Sequence, residues 1–114
     1  MAIEWAPLAV TDGVPISYHD IGWAAGARDP DGSPRKVEMP GLAVVVPGEP
    51  GAILESFNLD GDWFGDNWFP SVDEAKEVAA ELWGSDLGQW RALDASVDDG
   101  YQSVVLAAAR AATP

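Results

Sequence analysis

Hydrophobic and polar residues alternate along this chain in two rhythms. Val72, Ala75, Val78, Ala79 and Leu82 recur three and four positions apart, which lines one side of an α-helix. Glu74, Lys76, Glu77 and Glu81 fall on the other side. Ser71 stands where an N-cap is needed and Glu74 follows at capping-box spacing. Asp73, Glu74 and Glu77 put negative charge near the positive end of the helix dipole, and Gly84 suits the closing residue. Together these predict a helix over about 71–83, with Trp83 adjoining its apolar stripe. Tyr101, Val104, Val105, Ala108 and Ala112 repeat the same spacing in an alanine-rich tail and predict a second helix over about 99–112, capped by Asp98 or Asp99. A strand through SVVLA is the alternative there.

Elsewhere the period is two. Ile3 to Val10 reads as a strand that Pro7 interrupts, which places it at a sheet edge. Thr11-Asp12-Gly13 is a turn. Val14, Ile16 and Tyr18 share a face, and Ile21 and Trp23 resume one position out of phase, which predicts a strand over 14–23 with a bulge near Asp20. Ala25 to Lys36, with DPDGSP inside it, is a loop, and Val37-Glu38 starts a strand that Pro40-Gly41 breaks. Leu42 to Val46 is unbroken apolar sequence, suited to a central strand covered on both faces. PGEPG (47–51) is a turn. Ala52 to Leu59 is a strand whose alternation leaves its buried face open, and DGDWFGDNWFP (60–70) reads as a turn or hairpin end. Gln89 to Leu93 is a short strand anchored by Trp90. Strands, helix, strand, helix predict an α+β fold: a mostly antiparallel sheet of roughly four to five strands with both helices on one face.

At 114 residues, 47% of them hydrophobic and six of them Trp, the chain is expected to form one domain with a core of its own. It has no cysteine, which excludes disulfides, thiolate metal sites and a cysteine nucleophile. Nineteen acidic residues against six basic ones give a formal charge of −13. Phosphate recognition needs clustered Lys and Arg, so nucleic acid and anionic membranes are disfavoured as partners and a basic protein is favoured. MAIEWAPLAV lacks the basic start and long apolar core of a signal peptide, and VVLAAARAA is short and interrupted by Arg110. A cytoplasmic location is expected.

Candidate chemistry is sparse. The aromatic and acidic stretch around residues 60–70 has two readings: its aromatics close over the core, or Asp60, Asp62, Trp63, Asp66 and Trp68 form an exposed surface that contacts a partner. Interface anchors favour Trp within a charge-complementary rim. Asp60, Asp62 and Asp66 also invite a calcium-loop reading, but Phe64 falls where an oxygen ligand is needed and Ser71 falls where a bidentate carboxylate is needed. His19, the single histidine, precedes Asp20 on a strand where neighbours face opposite ways, so no dyad results. No serine elbow, P-loop or dinucleotide fingerprint is present. No catalytic set, metal site or cofactor is expected. A different class of function would use a Trp-lined pocket containing Tyr18, His19 and Trp23, in a small-molecule binder or cofactor-free enzyme.

The run Asp66-Asn67-Trp68-Phe69-Pro70-Ser71, then Glu74-Ala75 and Ala79, then Trp90, follows a D-x-W-h-x-S element that enters an E-A-x-x-x-A helix and is followed by a Trp-bearing strand. Residues 53–93 thereby resemble part of the small α+β immunity-like proteins of bacterial toxin systems. The resemblance implies an inhibitor that binds a cognate toxin rather than an enzyme. The leading expectation is an acidic, immunity- or inhibitor-like protein-binding module that takes a basic partner. A homodimer formed through the aromatic patch is a further expectation.

Overall fold

The computed structural model describes residues 2–9, 12–14, 26–93 and 100–112. Strands β1 (Ile3–Pro7), β4 (Leu42–Pro47), β5 (Ala52–Phe57), β6 (Trp63–Phe69) and β7 (Arg91–Leu93) form one sheet in the order β6-β5-β4-β1-β7. Every neighbouring pair is antiparallel. Two short strands, β2 (Asp12–Gly13) and β3 (Val37–Glu38), pair separately. Helix α1 (Val72–Trp83) continues into a 3₁₀ turn (Gly84–Asp86), and α2 (Tyr101–Ala112) is the last described element. The α+β class, the antiparallel sheet and both helices agree with the sequence reading.

The placement of the helices does not. Leu42, Val44 and Val46 of β4 gather with Ile3, Trp5 and Phe57 under Val105 and Ala109 of α2. Ala43 and Val45, the intervening residues, gather with Leu54 under Ala75, Ala79 and Trp83 of α1. The helices therefore cover opposite faces. The cause lies in β4: a central strand that is apolar at every position has two faces to bury, and one helical layer covers only one of them.

Three further expectations are corrected. β1 is not an edge strand, because it lies between β4 and β7. Pro7 is tolerated there because β7 reaches only Ile3, Glu4 and Trp5, so no ladder donor is required of residue 7 on that side. Asp12-Gly13, read as turn, pairs with Val37-Glu38. Within the stretch read as turn or hairpin end, Trp63–Phe69 is instead a seven-residue strand, and the turn itself precedes it at Asn58–Asp62. The strand expected over 14–23, its bulge at Asp20 and the caps at Asp98 or Asp99 fall outside the described residues, Val14 apart.

Helix α1 starts where its cap predicts: the Ser71 hydroxyl accepts from the Glu74 backbone N–H at 3.1 Å. Its last helical bond runs from the Gly84 N–H to Ala80 O, and Gly84, with a positive φ of 49°, then turns the chain out of the helix. Among the described residues no helix is long and apolar enough to cross a membrane.

Candidate functional site

All five residues singled out for partner contact lie on one ridge, made of the β5–β6 turn and β6. β6 forms an outer edge of the sheet. Its register with β5 runs Phe69↔Ala52, Trp68↔Ile53, Asn67↔Leu54, Asp66↔Glu55 and Gly65↔Ser56, then shifts so that Trp63 faces Phe57. Phe64 is the extra residue of this bulge, and Gly65 beside it takes a φ of +127°. Residues paired across an antiparallel ladder share a face. Trp63, Asp66 and Trp68 therefore stand with Phe57, Glu55 and Ile53 on the α2 side of the sheet.

Both tryptophans are 57% exposed. The two phenylalanines of the stretch are half-buried, Phe69 against the α1-side core and Phe64 against Met39. The phenylalanines thus close over apolar neighbours while the tryptophans are exposed. Trp68 is fixed by a hydrogen bond from its Nε1 to Pro50 O at 3.3 Å. It lies so close over the β4–β5 turn that a Cβ on Gly51 would come within 2.6 Å of its ring. Beside it opens an apolar cleft of about 200 Å³, walled by Val46, Pro47, Ile53 and Trp68.

At the other end the acids are held by a residue that sequence reasoning passed over. Asn58 is buried and its side chain makes four hydrogen bonds. Its Oδ1 accepts from the backbone N–H groups of Asp60 (3.1 Å) and Asp62 (2.8 Å). Its Nδ2 donates to Asp62 Oδ2 (2.8 Å) and Glu38 Oε1 (3.0 Å). The available signal was Asn58 itself, a side chain that caps backbone N–H groups two and four residues on, before Asp-Gly-Asp. Arg110 Nε donates to Leu59 O at 2.8 Å and sets one cation at the foot of this turn. The salt bridges among the described residues, Arg35–Asp29 and Lys76–Glu4, leave Asp60, Asp62 and Asp66 without an ion-pair partner.

Between the two tryptophans, β5 places Glu55 beneath the ridge. It is buried, and its Oε2 accepts a short hydrogen bond from Tyr101 Oη on α2. Burial pushes the Glu55 carboxyl above its ordinary range; the Tyr101 hydroxyl pulls it back and the Asp66 charge raises it further. Burial and then the same carboxylate push the Tyr101 phenol far up, which keeps it a donor. Sequence reasoning took Glu55 for a strand position and Tyr101 for a helix stripe, because nothing along the chain shows that two residues 46 positions apart meet.

Tyr18, His19 and Trp23, the alternative pocket, lie outside the described residues. A wider cavity of about 520 Å³ opens at the start of α1, lined by Glu4, Glu49, Ser71, Asp73 and Lys76 among others. Its cation is already engaged, since Lys76 Nζ meets Glu4 Oε2 at 2.7 Å. Among the described residues no group of three or more His, Asp or Glu is placed to hold a metal ion. Protein-family models, curated proteins and solved structures offer no match to this chain, so the ridge's own chemistry is the guide to its role.

Proposed function

We propose that the protein is an acidic protein-binding module, immunity- or inhibitor-like, that takes a basic protein partner on the β6 ridge in a cytoplasmic setting. One observation carries the reading: two tryptophans, each more than half exposed, stand on one face of an edge strand with Asp66 between them and Asp60 and Asp62 adjoining. Exposed indoles supply the contact area of interface anchors, and the carboxylates around them, which form no salt bridge among the described residues, supply steering toward a cation-rich surface. The formal charge of −13 extends that field over the whole chain.

The test is titration against purified basic proteins, including any toxin domain found encoded beside this chain, at low and high salt. Saturable binding is expected that weakens with salt. Asp60→Asn/Asp62→Asn/Asp66→Asn should slow association, and Trp63→Ala/Trp68→Ala should speed dissociation, each lowering affinity by roughly ten-fold or more. Binding that ignores both salt and the three substitutions would refute the reading.

A further inference from the structure

We infer that the partner engages this ridge by strand addition: an extended, cation-bearing segment pairs with the outer edge of β6 and becomes the sixth strand of the sheet. The inference rests on the proposed binding role and gives the chemistry of the contacting segment.

The geometry of β6 is what points there. Edge strands present unpaired N–H and C=O groups and template further strands unless blunted by shortness, by lysine, by an internal proline or by a bulge that twists the edge away. β6 has no lysine, its nearest proline, Pro70, follows its last residue, and its bulge at Phe64 lies near its start, so the stretch from Gly65 to Trp68 keeps a regular ladder with β5. The opposite edge, β7, has three residues. Among the described residues no strand lies outside β6.

Charge selects the occupant. A second copy laid on this edge would set a second ridge bearing Asp60, Asp62 and Asp66 beside the first, each chain carrying a net charge of −13. That repulsion disfavours self-association at the edge and favours a strand carrying Lys or Arg. Shape sets the spacing. On the α2-side face, Asp66 and Trp68 are two residues apart, about 6.6 Å along a strand, and Trp63 lies beyond the bulge. The incoming strand therefore carries a cation opposite Asp66. Two positions along the same face it carries an aliphatic side chain, which packs on the exposed indole of Trp68. A second apolar or cationic side chain meets Trp63. The face that carries Gly65 and Asn67 admits small polar residues, because Gly65 offers nothing to pack against.

Synthetic peptides test this on the intact protein. The first carries Lys opposite Asp66 with leucine two places away and threonine elsewhere. The second has the same sequence with alternate backbone nitrogens methylated along the edge that would pair. The third keeps the composition and scrambles the order. Binding is read by tryptophan fluorescence, and pairing by hydrogen exchange at the amides of residues 63–68. The expected result is saturable, salt-sensitive binding of the first peptide with slowed exchange along β6, and affinity at least about ten-fold weaker for the other two. Equal binding of the methylated peptide, or binding without slowed exchange, overturns strand addition while the acidic-binder reading stands. Failure of all three peptides also overturns strand addition. Only failure of every basic protein as well removes the acidic-binder reading. Concentration-dependent dimers that protect the same amides would assign the edge to a second copy and overturn the proposal.

Discussion

Asn58→Asp changes one atom type at the hub of the acidic turn and ought to be among the most damaging isosteric substitutions available. The orientation of Asn58 is fixed by its partners: two backbone N–H groups can only donate to it, and two carboxylates can only accept from it. The substitution keeps the accepting oxygen and replaces the donating nitrogen with an oxygen facing Asp62 and Glu38, now at 2.8 and 3.0 Å. Two charge-assisted donations are lost, together about 3 kcal/mol, and the residue is only 4% exposed, so water restores little. Repulsion among three converging carboxylates adds about 1–2 kcal/mol after the exposed ones swing apart. The expected loss at neutral pH is therefore about 4–5 kcal/mol, a large share of the roughly 5–15 kcal/mol that holds a domain folded. The loss should also depend on pH in a definite sense. The new carboxyl binds its proton more tightly in the folded state than in the unfolded one, so the penalty is full above its folded pKa. It shrinks as pH falls through that value toward the ordinary carboxylate range. Asn58→Ala removes all four side-chain bonds without adding a charge and should cost about 2–4 kcal/mol. Urea unfolding of the three proteins between pH 4 and pH 8 measures both quantities. A loss below about 1 kcal/mol for Asn58→Asp, or a loss that does not shrink with acid, would refute the hub assignment.

Two further outcomes are expected. Glu55→Gln keeps an acceptor for Tyr101 and removes a buried charge beside Asp66, so it should stabilise the fold by about 0.5–1 kcal/mol near neutral pH. Because the folded Glu55 carboxyl titrates above its unfolded value, the wild-type fold gains stability as pH drops through that window. The variant should lack this gain, and thermal unfolding at several pH values would expose a steeper profile as an error in the sign. Ser71→Ala deletes the cap on Glu74 N–H and should cost about 1 kcal/mol, while Ser71→Asp should hold or raise stability; equal losses for both would remove the capping role.

What the chain disclosed and what it hid follow from the range of the interactions involved. Helix α1 was legible because its cap, stripe and stop all lie within about four residues of one another. β4 was legible as a doubly covered strand because Leu42 to Val46 offers no polar face. The same fact argued against placing both helices on one face, yet element order alone suggested a single layer. β1 was misplaced because Pro7 signals an edge only where a neighbour needs its N–H, and the shortness of β7 is not written near residue 7. The candidate ridge was legible as composition, a run of Trp and Asp, but not as geometry. The partners that shape it are distant in sequence: Glu38 for Asn58, Pro50 and Gly51 for Trp68, and Tyr101 for Glu55.

The bulge joins these threads. Trp63 and Trp68 are five positions apart, and in an uninterrupted strand they would face opposite sides of the sheet. Phe64, inserted without a partner beside a glycine at positive φ, shifts the phase by one and brings both indoles to the α2 side. The shift spends a ladder position and gains no core. An indole can bury up to about 250 Å², so exposure of 57% forgoes roughly 3.5 kcal/mol of apolar burial for each ring. For the pair that approaches the net stability of a small domain. A fold stabilised only for its own sake would bury at least one of them, and without the bulge Trp63 and Trp68 would stand on different faces, free to do so. Turning both outward on one side, beside carboxylates without an ion-pair partner among the described residues, leaves the deficit that the proposed binding role would fill.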